Sequence, residues 1–569
     1  MEPEPHAAAL AAQSLSMGGK SWCRRLGSRQ GVLGVVLVLL IAVGALGFRL
    51  QQLERRPLHV DEAPDESGWR WSLTRRPLHV DEAVQAVKAG ELYDSGQYRY
   101  NPLEFHGPSL YYFTLPVLKL SGAKSFAEAT DADFRLVPVL FGVGLILLLL
   151  PLRRDSGSVV MVSAAVLIAV SPAMVYYSRY YIQEMLLVAF AGLALCALWR
   201  YFRTPHRPWS LLLGLAIGLM YATKETSVIF CAAMSVAYGW LILRRRYREG
   251  RPLWNLSRRQ VCHLLLTVGA AAMVAMMFYS SLFSHPRGPL DSLLAFRHYF
   301  DRSGGDGSAA LHQQPWYYYL KMLCYTKNAP GPWWSEGFIL ALAAVGFIAT
   351  ACRRVPGAIH PDLALLLAVY TLCMTLAFSL IPYKTPWNML GFLHGLILMA
   401  GIGASTVFHC LPRCGARAVL VLLLLAGARQ LAAQASRAIS PSFCADPRNP
   451  YVYAHSVPDV VRLARRISEI AALHADGRSM RIHFITPDYW PLPYYLRKLN
   501  RVGYWSAIPA SPDAPVIVVN SELQEQLEPL LRERYHTEFF GLRPGVLLIL
   551  NIEQDLWERY LRDLKPVPP

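Results

Sequence analysis

Acidic residues are scarce: 39 Asp and Glu stand against 56 Lys and Arg in 569 residues, a formal net charge of +17. In a soluble chain that excess would point to nucleic acid. Here 54% of the residues are hydrophobic and the mean hydropathy is +0.27, which excludes an ordinary soluble protein. The basic residues fall mostly in short loops, so no nucleic-acid partner is expected. The ten cysteines form no CxxC, and no His-rich zinc spacing accompanies them. His409, Cys410 and Cys414 come nearest to a metal cluster, in a short basic loop. Neither a GxGxxG nor a P-loop sequence occurs, so no nucleotide site is expected. The first apolar run, Gly31 to Phe48, lacks a marked cleavage site and is too long for a signal peptide; it reads as a retained anchor.

What is present is a series of apolar runs able to cross a hydrocarbon core of about 30 Å. Eleven spans are placed near 31–50, 134–152, 157–176, 184–202, 209–222, 226–243, 261–283, 335–352, 360–381, 386–408 and 416–434. Basic clusters at Lys20 to Arg29, Arg153-Arg154, Arg200 to Arg207, Arg244 to Arg259, Arg353-Arg354 and Arg413 to Arg417 mark the cytoplasmic loops and put the N-terminus in the cytoplasm of a plasma-membrane protein. The expected fold class is an α-helical polytopic membrane protein with a small C-terminal α/β region outside the cytoplasm. Its parts are a tail at 1–30, a membrane region at 31–439 with outer loops 51–133 and 284–334, and an outer region at 440–569. In the last, Val460 to Leu473 and Glu522 to Arg534 read as helices. Arg481 to Thr486, Pro515 to Asn520 and Val546 to Leu550 read as strands.

The few carboxylates sit at the outer junctions. Asp81-Glu82 lies in the first outer loop, and Glu184 follows Tyr176-Tyr-Ser-Arg-Tyr-Tyr-Ile-Gln. Lys224-Glu225 and Tyr383-Lys384-Thr-Pro-Trp387 occupy two further junctions. The span at 209–222 is about 14 residues, roughly 21 Å at 1.5 Å per residue, so Thr223 to Thr226 should dip below the outer interface. Charges survive there only when surrounded by protein or a watery cavity.

This set suits transfer of a sugar from a polyprenyl phosphate to a hydroxyl. The donor tail stays in the bilayer, a carboxylate takes the acceptor's proton, and cations hold the departing phosphate. Asp81 is the candidate general base, with Glu82 beside it to orient it or to bind a sugar hydroxyl. Arg179, Lys224 and Lys384 are candidate phosphate holders. His106, in Glu104-Phe-His-Gly-Pro-Ser109, is placed against phosphate or sugar. One phosphate demands no metal, so no metal or other cofactor is expected. Blander readings exist for each: a helix N-terminal charge for Asp81-Glu82, an Arg179–Glu184 ion pair, a snorkelling Lys384. Asp131-Ala-Asp133, though like a DxD, reads as a helix cap.

The motif Arg55 to Ala63 recurs letter for letter as Arg75 to Ala83. Pro64 disfavours helix after the first copy, whereas the second runs on into Val84-Gln-Ala-Val-Lys-Ala-Gly90. The second copy, with Asp81 in place of Asp61, is expected to be functional.

At these residues the chain resembles the membrane glycosyltransferases of the type-C fold, the superfamily of protein O-mannosyltransferases and lipid A aminoarabinose transferases. Asp81-Glu82 matches their first-loop acid, His106-Gly-Pro-Ser-Leu-Tyr-Tyr112 their His/Pro/aromatic segment, and Ser178-Arg-Tyr180 with Glu184 their second acidic site. More narrowly, 76–83, 98–102, 222–226, 383–388, 488–493 and 541–545 are similar to a prokaryotic subfamily labelled flippase-activity-associated. The duplicated motif has no counterpart there, and no β-trefoil is present. The resemblance implies a lipid-phosphate sugar donor, membrane lipids around the chain, and Glu225, Tyr383 and Trp387 near the donor. The acceptor (protein, lipid or glycan) stays open. The rival expectation is a non-enzymatic flippase component handling the same lipid-linked sugars, which would show a charged through-path and inverted-repeat symmetry.

Overall fold

The computed structural model describes residues 29–51, 76–102, 106–250, 257–303, 312–328 and 330–563. Asp61 and Glu62 of the first motif copy, and Glu104, lie outside them. The helices in chain order are α1 (Arg29–Leu50), α2 (Val80–Ser95), α3 (Ser109–Ser121), α4 (Asp131–Leu147), α5 (Arg153–Val170), α6 (Pro172–Tyr177), α7 (Glu184–Arg203) and α8 (Arg207–Tyr221). There follow α9 (Ser227–Glu249), α10 (Arg258–Tyr279), α11 (Gly288–Ser303), α12 (Tyr318–Cys324), α13 (Gly337–Ala351), α14 (Pro361–Leu380), α15 (Leu390–Cys410) and α16 (Cys414–Ala438).

Each of the eleven expected spans holds a helix. By length and composition, eight stretches among the described residues can cross a membrane; one, Asp131–Val170, is α4 and α5 in succession, and α13 is a shorter apolar helix. Their outer surfaces carry exposed Leu, Val and Met, as on α1, α10 and α16. Such a surface suits lipid rather than water. At the centre stands α15, nearly all of it buried. Gly346 and Gly403 let α13 and α15 approach so closely that a Cβ at either would fall within about 2 Å of a facing carbonyl oxygen.

Between the first two spans, α2 runs from the second motif copy, and α3 adds a second helix that begins at Ser109, within the His106 to Tyr112 segment. Thr130 and Asp133 form a reciprocal capping box that starts α4, which is the cap reading of Asp131-Ala-Asp133.

Beyond residue 458 the pattern becomes that of an α/β layer: α17 (Asp459–Leu473), strands β3 (Ile482–Ile485), β4 (Val502–Trp505), β5 (Val516–Asn520), β6 (Tyr535–Arg543) and β7 (Val546–Glu553), and α18 (Gln554–Asp563). Strands β1 (Thr326–Lys327) and β2 (Trp333–Trp334) form a separate hairpin. The five-stranded sheet has the order β4-β3-β5-β7-β6, parallel at β4-β3-β5 and antiparallel at β5-β7-β6. Val460, Leu463 and Ile467 of α17 pack with Leu556 of α18 on one face of it. The helix expected over Glu522 to Arg534 is replaced by single turns, because Pro529 removes a donor and β6 starts soon after.

Candidate active site

The sequence His79-Val-Asp-Glu82 builds its own helix start. The His79 ring accepts a hydrogen bond from the Asp81 amide at 3.1 Å, and the Glu82 carboxylate accepts from the His79 amide at 3.1 Å. Two adjacent acids then diverge. The Asp81 side chain is 47% exposed, with a carboxylate oxygen 3.7 Å from His79 Nδ1. Glu82 is fully buried, and its two oxygens accept from Arg76 Nη2 (2.9 Å), Arg135 Nε and Nη2 (3.0 and 3.2 Å) and the Tyr181 amide (3.0 Å) besides. Burial pushes the Glu82 carboxyl up, but the charges of Arg135 and Arg76 outweigh it and hold it below the usual carboxylate range. Glu82 is a saturated anchor, and Asp81 faces outward.

Around this pair lie groups of distant origin. Arg76 reaches His455 Nε2 at 3.0 Å, donates to the Arg179 carbonyl at 2.8 Å and lies 4.3 Å from the centre of the Tyr180 ring. The His79 ring is 5.6–5.8 Å from Tyr180, His455 and Trp387. Trp387 in turn packs on Tyr453, which bonds His312, and His312 lies 4.7 Å from the Tyr383 ring. The Arg179 guanidinium departs from this saturation: its Nε and Nη1 are buried without a hydrogen-bond partner among the described residues. Burial and the charges of Arg76 and Arg135 push it down to about 9. Such an arrangement favours an anion.

The second group forms where α7, α8 and α9 meet. Lys224 Nζ donates to Glu184 Oε1 and lies 3.5 Å from Asn388 Oδ1, one residue beyond Trp387. Glu184 therefore pairs with Lys224, not with Arg179. Thr223, Lys224 and Glu225 are all buried, as the short preceding helix requires, and do not form a solvated tip. His106 Nδ1 meets Glu225 Oε2 at 2.8 Å, and Ser109 Oγ meets Thr223 Oγ1 at 2.8 Å. Gly107 permits this junction, since a Cβ there would fall 2.3 Å from the Ala222 carbonyl oxygen. The two groups join through Gln85 of α2, which accepts from Gln183 Nε2 at 2.8 Å.

Lys384 is buried and turned away from these partners. Its ammonium caps the carbonyls of Ser379 (2.9 Å) and Ile381 at the end of α14, with Tyr319 5.8 Å from it, and burial lowers its pKa. Sequence reasoning did not single out Arg76, His79, Arg135, Asn388, Tyr453 or His455. The signal for Arg135 was available: it is the one basic residue of α4, at the head of the apolar run that follows. Arg76 and His79 stood inside the repeated motif, whereas Tyr453 and His455 carried no mark beyond their place ahead of the sheet region.

The profile of the family described as "Dolichyl-phosphate-mannose-protein mannosyltransferase" matches residues 109–285. No curated protein sequence matches this chain. Among solved structures, ArnT from Cupriavidus metallidurans bound to undecaprenyl phosphate is similar over 93% of this chain and 99% of its own, at 16% identity and TM-score 0.60. The oligosaccharyltransferase of Archaeoglobus fulgidus in the apo form is similar over 91% and 77%, at 12% identity and TM-score 0.52. AglB of the same organism, in complex with an inhibitory peptide and a dolichol-phosphate, covers 91% and 76% at 12% identity and TM-score 0.50. The chain has the type-C fold of the membrane glycosyltransferases.

Proposed function

We propose that this protein is a membrane glycosyltransferase that moves a sugar from a polyprenyl-phosphate donor to a hydroxyl on an acceptor outside the cytoplasm. The observation that carries the reading is that Arg76, which binds Glu82 next to the exposed carboxylate of Asp81, also holds the Arg179 carbonyl, so that Asp81 and an arginine with two buried guanidinium nitrogens, unpartnered among the described residues, stand around one shared group. Asp81 takes the acceptor's proton as the acceptor oxygen attacks the anomeric carbon. The bond from that carbon to the phosphate oxygen breaks, and the polyprenyl phosphate leaves as an anion beside Arg179. Glu82 holds Arg76 and Arg135 and so positions the helix start that presents Asp81. Lys224, fixed by Glu184, serves as the second cation of the site, with His106, Glu225, Tyr383 and Trp387 toward donor and sugar. Lys384 contributes by closing the end of α14. The similarity to a structure holding undecaprenyl phosphate and to one holding dolichol-phosphate supports the donor class.

Proteoliposomes containing the protein and a labelled polyprenyl-phosphate sugar test the reading. Glycosidic product with release of the polyprenyl phosphate is expected. Movement of the donor between leaflets without product would favour the transport component instead.

A further inference from the structure

The opposite end of α8 carries a basic groove. Gly214 and Gly218 of α8 face Thr267 and Ala271 of α10 so closely that a Cβ at either would fall under 3 Å from those residues' carbonyl oxygens. Because both numbers rise together, the two helices run parallel and begin side by side. α8 ends at Tyr221, beside the His106–Glu225 junction, so its start lies about 22 Å away at 1.5 Å per residue. Between the two starts is a groove of about 840 Å³ lined by His206, Arg207, Trp209, Arg258, Arg259 and His263. That volume lies in the range of small-molecule sites.

Three features set this groove apart from the ordinary basic loops at the same end. None of its lining residues is acidic, and among the described residues Arg207, Arg258 and Arg259 have no carboxylate partner. By contrast Arg203 pairs with Asp155 at 3.5 Å and Arg244 with Asp362 at 3.7 Å. It lies at the starts of both helices, where their dipoles add positive potential. Further along the same two helices Leu211 and Leu215 of α8 and Leu264 and Val268 of α10 are exposed, an apolar strip one to three turns beyond the arginines. Trp209, with Arg200 lying 5.2 Å from its ring centre, marks the boundary between the two, where an indole suits a headgroup layer.

We propose that this groove binds an anionic phospholipid, its phosphate held by Arg207, Arg258 and Arg259 and its acyl chains laid along the apolar strip. Basic pockets between membrane helices have the chemistry for such headgroups, and the apolar strip selects a lipid over a small anion. The test is native mass spectrometry of the full chain in neutral detergent, titrated with phosphatidylglycerol or phosphatidylcholine. The wild type is expected to retain phosphatidylglycerol with a preference on the order of 100-fold from three arginines near a headgroup. Arg207→Gln/Arg258→Gln/Arg259→Gln is expected to lose that preference, and the triple Arg→Lys variant, which keeps the charge, to retain most of it. Equal preference in the wild type and the Gln variant would overturn the proposal. So would loss in the Lys variant equal to that in the Gln variant, or displacement of the lipid by millimolar inorganic phosphate alone.

Discussion

Asp81 and Glu82 are neighbours with opposite environments, and their substitutions should separate accordingly. Asp81→Asn keeps the helix start, because the cap uses the Asp81 amide and not its carboxylate. It should lower transfer by about 10²–10⁴-fold, the range for a positioned base, while the variant inserts and unfolds like the wild type. Full activity in Asp81→Asn with loss in Asp61→Asn would assign the chemistry to the first copy of the motif. Glu82→Gln should act on stability: it leaves two buried guanidiniums without their anion, a loss of about 3–5 kcal/mol. The folded pKa of Glu82 lies below its ordinary 4.5, so its stabilisation is complete above that value and is lost as pH falls further. Thermal unfolding of both proteins at pH 7 and pH 3 checks this; the gap between them should narrow in acid.

At the scale of elements, the approach of the His106-Gly107-Pro108-Ser109 segment to the end of α8 decides whether the first outer loop reaches the Lys224 junction. Gly107→Ala should force Ser109 from the Ala222 carbonyl, where its amide now bonds at 2.9 Å. Transfer and thermal stability should fall together, and an unchanged melting temperature would contradict the close approach. Here the sequence was most legible. The helices follow from run length, as does the burial of Thr223 to Glu225 after a short one, and α2 follows from the unbroken stretch Val84 to Gly90 behind the second motif copy. The direction of Lys384 was not legible, since a lysine after a span reads the same whether it faces a cavity or caps its own helix. Nor was the split of Asp81 from Glu82, which depends on Arg135 more than fifty positions away. Pairing likewise hid β4 and β6, whose irregular patterns gain meaning only beside β3 and β7.

At the scale of the whole molecule, the region after residue 450 is tied into the site from above. Tyr495 Oη accepts from the Leu78 amide at 2.8 Å, Arg497 donates to the Ala129 carbonyl at 2.6 Å, and His455 meets Arg76. Burial lowers the pKa of His455 and of His79 below the ordinary 6.5, with Arg76 adding to the effect at His455. The unfolded chain therefore takes up more protons below about pH 6.5, and stability should decline as pH falls through that value. A melting profile from pH 8 to pH 5 checks this, and one rising toward acid would contradict it. The same region brings His455 beside His79 and Tyr453 beside Trp387, next to Asp81.

The most direct measurement separates holding the donor from reacting with it. Purified wild type, Asp81→Asn and Arg179→Gln would each be assayed for polyprenyl-phosphate binding and for sugar transfer from the corresponding donor. Asp81→Asn is expected to bind the lipid phosphate like the wild type yet to transfer about 10²–10⁴-fold more slowly, while Arg179→Gln should bind it at least tenfold more weakly. Unimpaired transfer in Asp81→Asn, or wild-type binding in Arg179→Gln, would contradict it.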